Sequence, residues 1–440
     1  MTVAARKRPA NLIYQGSVKN VWQSPSGDHR LWFEYTDDYS VFDWGKMPDT
    51  IAHKGASLAC LGAFFFETMA TPQFWQELKT SAALKKFDQK WLAERFQHDV
   101  YQGAAGLAKA GLPSHFLRLT DGSDAKLNLA QLSSHFSGAV ENGTNSAGAS
   151  PAAIETSSDA NLYLEVKEAK VGHPQKHTVL GKEVYFYPTS SLVKDSPSGL
   201  ALIPLEIVFR FGMPQGSSLK SRLSKNPDYL NELGLEHMPA EGDWFNHPVL
   251  EFFTKLESKD RLLSFQEAST MAGLTAEHFE IMVELALQIA LALYSIFASK
   301  NIELWDGKVE MLLDGRAQAA TRSILLADSI GPDELRLLYK GQHLSKEIIR
   351  IYYRGSKWEK AVKEAQEICQ QKGIADWKQY CRKHFDLDPE PLSPSFKAAM
   401  DRLYCVLVNH VSGVSIFDGC PDIEGFLVEL KAALKSGGEK

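Results

Sequence analysis

The stretch Leu304-Trp305-Asp306-Gly307-Lys308-Val309-Glu310 constrains this chain more than any other. Charged residues stand at alternate positions, Asp306, Lys308 and Glu310, while Trp305, Val309 and Met311 fill the positions of the other parity. Successive side chains of a strand point to opposite faces, so the three charges share one face and the apolar set can pack into a core. An antiparallel strand with one solvated face alternates in the same way, so the pattern alone leaves an ordinary surface strand open. Two carboxylates flanking an ammonium also suit a metal nucleotide, since carboxylates hold Mg²⁺ and lysine meets phosphate oxygens.

The next residues along the chain favour the second reading. Asp314-Gly315 is a turn signal, and Ser323-Ile324-Leu325-Leu326-Ala327-Asp328 reads as a second strand ending in a carboxylate. A hairpin closed by the loop from Arg316 to Arg322 brings Asp328 towards Glu310, giving two carboxylates for one cation. Gly331-Pro332-Asp333 then reads as a loop, with the fixed positive charge of Arg336 behind it.

Composition narrows the class. A formal net charge of −6 argues against broad nucleic-acid binding, which favours a basic surface. With 44% hydrophobic and 23% charged residues over 440 positions, the chain reads as a soluble globular enzyme. Cys60, Cys369, Cys381, Cys405 and Cys420 are odd in number and lack a CxxC pair, which argues against a disulfide framework and a zinc site. No long apolar run follows Arg6-Lys7-Arg8, so no secretory signal is expected. The apolar run Ile281–Phe297 reads as too short and too polar for a membrane span, interrupted as it is by Glu284 and Gln288. The Asn142-Gly143-Thr144 sequon is expected to go unused. These points place the chain in the cytoplasm, with no nucleic-acid or membrane partner; a homo-oligomer is left open.

The pattern along the chain is α+β, a strand-rich front and a helix-rich back. Residues 1–120 form a β-rich lobe that opens with a glycine turn at Gly16. Residues 121–200 read as insertion-rich, and Ser137 to Asn161, rich in small polar residues, as a flexible segment. Residues 201–355 form a second α+β lobe, in which Leu202 to Phe211 is a near-continuous apolar strand pattern. From the N-cap Thr275, Phe279, Met282, Val283, Ala286, Ile289, Ala290, Leu293 and Phe297 recur at helical spacing, a core-facing stripe. Residues 356–440 are a helical extension, with helices near Trp358–Lys372, Asp376–His384, Pro394–Val411 and Ile423–Lys435.

Taken together and in order, these segments resemble the SAICAR synthetase family. The family's opening tyrosine-x-glycine-lysine-x-lysine turn reads Tyr14-Gln15-Gly16-Ser17-Val18-Lys19 here, with Ser17 in place of the first lysine. Its aspartate-x-serine-alanine-phenylalanine-aspartate run reads Asp38-Tyr39-Ser40-Val41-Phe42-Asp43, and its lysine-glycine pair is Lys54-Gly55. The proline-x-glutamate signature reads Pro204-Leu205-Glu206, followed by Arg210 and, one residue late, Gly216-Ser217; Phe211 stands where asparagine is usual. Asp306, Lys308 and Glu310 match the second signature. Ala327-Asp328-Ser329, Gly331-Pro332-Asp333 and Arg336 match the family's later motifs, with a glutamate lost at Ser329. The resemblance covers about Leu12 to Gly355.

The resemblance implies a two-lobed fold with antiparallel sheets, an ATP cleft between the lobes and extra C-terminal helices. It implies a ligase that uses ATP and Mg²⁺ to join L-aspartate to carboxyaminoimidazole ribotide in purine biosynthesis. Glu310 and Asp328 would hold the metal; Gly16, Lys19, Lys308 and Glu310 would meet the nucleotide. Lys308, Asp306 and Asp328 would carry catalysis, with Asp306 orienting Lys308 or touching substrate. Arg210, Ser217 and Arg336 would grip the ribotide phosphate, and Asp43 and Lys54 would line the ribotide or aspartate pocket. Plain structural roles stay open for Gly16 as a hairpin turn, Arg210 in a salt bridge, and Asp43 or Lys54 as turn and helix-start residues. Three other functions compete: a relative acting on another carboxylate–amine pair, a nucleotide-binding protein that has lost catalysis, and an inositol-polyphosphate kinase relative. The last normally has glycine where this chain has Glu310.

Overall fold

The computed structural model describes residues 9, 11–97, 100–101, 103–123, 125–134, 136, 161–188, 193–257, 259–317, 322–374 and 376–436. The flexible segment expected at Ser137–Asn161 lies outside these residues apart from Asn161, as does the 142–144 sequon.

Strands β1 (Leu12–Gln15) and β2 (Lys19–Gln23) flank the Gly16 turn, and β3 (Arg30–Tyr35) follows. With β4 (Phe116–Thr120) and β5 (Tyr163–Lys167) they form an antiparallel sheet in the order β1-β2-β3-β5-β4. Its fifth strand therefore comes from the stretch that the sequence marks as insertion-rich. Helix α1 (Lys54–Met69) packs on β3, β4 and β5, and the short helices α2 (Pro72–Leu78), α3 (Gln89–Gln97) and α4 (Leu107–Ala110) follow it. A two-stranded ribbon, β6 (Gln175–Val179) with β7 (Lys182–Phe186), stands apart from both larger sheets.

The second sheet is built from β8 (Leu200–Leu202), β9 (Leu205–Gly212), β10 (Trp244–Thr254), β11 (Leu262–Leu263), β12 (Glu303–Asp314), β13 (Ile324–Ala327), β14 (Leu335–Tyr339) and β15 (Gln342–His343). Its main path is β11-β10-β9-β12-β14-β15, with β8 and β13 both paired to the far half of β12. The alternating stretch thus forms the central strand. Gly307 lets its neighbours close in: a Cβ there would lie 2.4 Å from the Leu335 side chain and 2.6 Å from the Phe209 ring. Helices α5 (Ser218–Lys225) and α6 (Tyr229–Glu232) connect β9 to β10, and α7 (Phe265–Ala272) precedes the long α8 (Ala276–Ala298).

Helix α8 starts at Thr275, whose hydroxyl accepts from the His278 amide at 3.2 Å. Its apolar stripe packs under β9, β10 and β12. The helix has 23 residues and is long and apolar enough to cross a bilayer, which corrects the expectation that this run is too short and polar. Its burial marks it as a core helix: 78% of the hydrophobic window is inside the protein. Phe211, the departure next to Arg210, is a core residue here, with its ring 4.9 Å from that of Tyr294 on α8.

The C-terminal fifth adds α9 (Glu347–Tyr353), α10 (Lys357–Lys372), α11 (Trp377–Phe385), α12 (Pro394–Ser412) and α13 (Ile423–Ser436). The four expected helices of this region are all present. They are not an appendage, because α12 packs against both α1 and α13. The two sheets meet where the His115 amide donates to the Leu326 carbonyl and the Leu326 amide donates to the Pro113 carbonyl, both at 3.0 Å. That junction sets the β1–β2 turn over the end of β13 and leaves a cleft between them.

Candidate active site

Three neighbouring strands supply the floor of the cleft. The register pairs Asp306 with Arg210 and Lys308 with Val208, and pairs Glu251 with Val208 and Phe253 with Glu206. Because side chains alternate, Asp306, Lys308 and Glu310 on β12, Arg210 and Glu206 on β9, and Glu251 on β10 share one sheet face. Lys255, just beyond β10, continues the same series.

One end of this face is a closed ion cluster. Arg210 Nη1 lies 2.8 Å from Asp306, and its Nε is paired with Glu251. Glu251 is buried and also accepts from Arg222 Nη2 at 2.7 Å and the Tyr229 hydroxyl at 2.9 Å. Arg336, opposite Asp306 on β14, lies 3.4 Å from its carboxylate and donates to the Gln215 carbonyl at 3.3 Å. Asp306 therefore orients two arginines and not Lys308, which corrects one of the two sequence expectations for it. Arg210 holds two buried carboxylates, so its first task is structural. Ser217 caps α5, its hydroxyl accepting from the Leu219 amide at 3.3 Å. Arg336 reaches the Gly216–Ser217 turn through Gln215, while Arg210 stays in the sheet.

The other end carries the lysines. Lys308 Nζ lies 2.7 Å from Glu206. Lys255 Nζ lies 2.6 Å from Glu310 and 3.6 Å from Glu206. Burial alone would lower the Lys308 pKa, but Glu206 and Glu310 outweigh it and hold the ammonium above its usual range. Sequence reasoning missed Lys255 and gave Glu206 no role. A signal existed for Lys255: Glu251 and Lys255 stand at even spacing in and just after the apolar run Trp244–Thr254.

Glu310 and Asp328 come together as the hairpin requires, since Glu310 pairs with Ala327. Asp328 then turns the chain with φ +58°, and its carbonyl accepts from His115 Nε2 at 3.2 Å. Its carboxylate is paired with Lys19, whose Nζ also sits 4.5 Å from the Phe33 ring centre. Burial, reinforced by the Asp328 charge, pushes Glu310 up to about 7 despite Lys255 and Lys308. Burial works the same way on Asp328, but Lys19, Lys255 and Lys308 outweigh it and keep that carboxyl well below its usual range. The two titrate as a pair that keeps one proton to near neutrality.

The roof is the glycine turn. The Gly16 amide donates to the Lys19 carbonyl at 2.8 Å, and a Cβ on Gly16 would come within 2.7 Å of that oxygen. Under it lies a cavity of about 370 Å³ with Lys308, Lys255 and Asp328 on its floor. Asp333, Glu334 and Lys346 line the far wall. Burial and the Asp333 charge push Glu334 up to about 7, and burial lowers Lys346. Ser329, where a glutamate was expected by resemblance, accepts from the buried Tyr35 hydroxyl at 3.0 Å.

Two expected pocket residues behave differently. Lys54 is 0% exposed, its Nζ lies 2.9 Å from Asp333, and Asp333 also accepts from the Tyr404 hydroxyl of α12 at 2.6 Å. Lys54 thus holds the wall from behind, which corrects its placement as a substrate ligand. Asp43 is exposed on the loop after β3 with φ +57°, and its charge reaches Asp260 together with those of Glu206, Lys308 and Lys255. Among the described residues no three His, Cys, Asp or Glu side chains converge as a ready metal cage.

A family model described as SAICAR synthetase matches residues 12–95 and 174–365, well over half of the chain. The chain belongs to the SAICAR synthetase family. On that footing it is a carbon–nitrogen ligase of purine biosynthesis. The putative phosphoribosylaminoimidazole-succinocarboxamide synthase of Archaeoglobus fulgidus is 29% identical over 424 residues, covering 96% of this chain and 100% of that protein. The phosphoribosylaminoimidazole-succinocarboxamide synthase of Thermoplasma acidophilum is 32% identical over 187 residues, which is 41% of this chain and 61% of that protein. Among solved structures, SAICAR synthase of Saccharomyces cerevisiae complexed with SAICAR aligns with TM-score 0.47 at 16% identity, over 92% of this chain and 95% of that one.

Proposed function

We propose that the cleft joins L-aspartate to carboxyaminoimidazole ribotide at the expense of ATP, releasing ADP and phosphate. The observation that carries this reading is the grouping of Lys19, Lys255 and Lys308 around the Glu310–Asp328 pair, beneath a glycine turn.

The ribotide carboxylate attacks the γ-phosphorus of ATP and ADP leaves. The aspartate amine then attacks the acyl carbon, and phosphate leaves as the amide forms. Such chemistry depends on positioning and on neutralising phosphate charge. Lys308, held by Glu206, meets the transferring phosphoryl oxygens. Lys19 and Lys255, each now bound to a carboxylate, turn to the phosphates when the nucleotide enters. The Gly16–Lys19 turn covers the nucleotide, and it closes tightly because Gly16 has no Cβ to meet the Lys19 carbonyl.

Glu310 and Asp328 fit a divalent cation. Glu310 is buried and held protonated to about 7 beside the Asp328 charge, so the pair has room for further positive charge, which a magnesium ion brought with the nucleotide would supply. Bound there, it would neutralise charge on the phosphates. Arg336 and the Gly216–Ser217 turn receive the ribotide phosphate, and Asp306 orients the arginine. The substrates are small phosphorylated or charged solutes, consistent with a cytoplasmic reaction.

One observation favours a second reading, a different acceptor. The chain between Arg210 and Ser217 is one residue longer than the family pattern and turns at Gly216 with φ +72°, beside the Arg336 contact. Product analysis with Lys308→Met and Glu310→Ala tests the assignment. Both variants should lose succinocarboxamide formation by about 10²-fold or more. Undiminished formation in either removes that residue from the chemistry.

A further inference from the structure

Glu334 is the cross-strand neighbour of the lysine at the centre of the cleft. Arg336 lies opposite Asp306 and Leu335 opposite Gly307, so Glu334 comes opposite Lys308, whose amide donates to the Glu334 carbonyl at 3.2 Å. Residues directly opposite in an antiparallel pair share a face, with Cβ atoms about 4.5–5.5 Å apart. Glu334 therefore joins Lys308 and Glu310 on the charged face, and it lines the same cavity as Lys308. The Lys308 ammonium turns to the other side, to Glu206 at 2.7 Å.

The turn before β14 fixes the Glu334 backbone. Its amide donates to the Gly331 carbonyl at 3.1 Å, and a Cβ on Gly331 would lie 3.6 Å from Glu334 Oε2. Among the described residues the Glu334 carboxylate has no hydrogen bond or ion pair. The other two carboxylates lining this cavity are held. Asp328 is paired with Lys19, and Asp333 lies 2.9 Å from Lys54 and accepts from the Tyr404 hydroxyl at 2.6 Å. An unpaired carboxylate repels phosphate and attracts an ammonium.

We propose that Glu334 is the general base of the amide-forming step, receiving the ammonium of the amine substrate and taking one of its protons. This role rests on the ligase reading. Lys308 meets the transferring phosphoryl group, so the acyl phosphate forms beside it, within reach of its cross-strand neighbour. The amine enters as an ammonium, which has no lone pair. Loss of one proton to Glu334 frees the pair, the nitrogen bonds to the acyl carbon, and the C–O bond to phosphate breaks. The second proton leaves with the phosphate, and Glu334 returns its own to solvent. Burial and the Asp333 and Asp328 charges push the Glu334 carboxyl up, Lys346 and Lys308 oppose them, and it settles at about 7. A base in that range both accepts and releases a proton near neutrality.

The test compares two amines on Glu334→Gln in the full chain, with ATP, Mg²⁺ and carboxyaminoimidazole ribotide. L-Aspartate needs a base. Hydroxylamine, already a free base near neutral pH, needs none and traps the acyl phosphate as a hydroxamate. Amide formation with L-aspartate should fall by about 10²-fold or more, while hydroxamate formation stays within about threefold of the parent. Glu334→Asp should recover part of the amide rate. Equal losses with both amines overturn the assignment, and so does undiminished amide formation. If the parent forms neither product, the ligase reading itself fails and the base role falls with it.

Discussion

Lys308 Nζ lies 2.7 Å from the Glu206 carboxylate on the adjacent strand, so the lysine at the centre of the cleft is oriented from β9 and not by its strand neighbour Asp306. Glu206→Gln keeps the shape and removes the charge. It should lower kcat/KM by about 10²-fold. The thermal midpoint should move little, because the Lys308 side chain stays about a third exposed and keeps the Glu310 charge nearby. Steady-state kinetics with a parallel melt check this; a large loss of stability at unchanged kcat/KM would assign Glu206 to the fold instead.

Glu310 gives a pH signature. Its pKa is 4.5 in the ordinary state and rises to about 7 in the fold through burial and the Asp328 charge. The folded protein therefore binds more protons than the unfolded chain between those values, and stability falls as pH rises through that window. Glu310→Gln mimics the protonated form. It should gain roughly 2 kcal/mol over the parent at pH 8 and little at pH 5. Urea titrations at the two pH values measure this; an equal difference at both would contradict the burial of the charge.

The Lys54–Asp333–Tyr404 contact should behave as structure. Lys54→Ala leaves Asp333 charged and buried beside the cleft and should cost about 3–5 kcal/mol. Tyr404→Phe removes one hydrogen bond to a charged group and should cost about 1.5–3 kcal/mol. Denaturant midpoints distinguish them. A Lys54 variant with full stability and a selective loss of substrate affinity would restore Lys54 to the pocket.

Arg210 and Arg336 should separate in the same manner. Arg210→Ala leaves Glu251 and Asp306 short of a buried partner and should cost about 3 kcal/mol or more. Arg336→Ala should cost less stability and raise KM for a phosphorylated acceptor by about tenfold or more. Kinetics with phosphorylated and dephosphorylated acceptors read this directly. If Arg336→Ala weakens both acceptors equally, the phosphate is held elsewhere.

Local patterns in the sequence were legible because they fix faces and caps. Alternation over 304–310 named the charged face of β12, and the hairpin pattern brought Asp328 beside Glu310. The helical stripe from Thr275 gave α8. Partners across the sheet were not legible, because spacing along one strand does not say which strand lies beside it. Pairing of Lys308 with Glu206, of Lys255 with Glu310 and of Arg210 with Glu251 depends on the order β10-β9-β12. The burial of Lys54 was hidden for a similar reason: its neighbour Tyr404 is on α12, far along the chain. At α8 the expectation of a run too short for a membrane counted only Ile281–Phe297, whereas the helix spans Ala276–Ala298.

The most direct test of the central claim is ADP release with ATP, Mg²⁺, L-aspartate and carboxyaminoimidazole ribotide, each left out in turn. The ligase reading predicts release that needs all four, with one succinocarboxamide formed per ADP. Release that persists without aspartate or the ribotide, or saturable ATP binding with no amide under any combination, would contradict it.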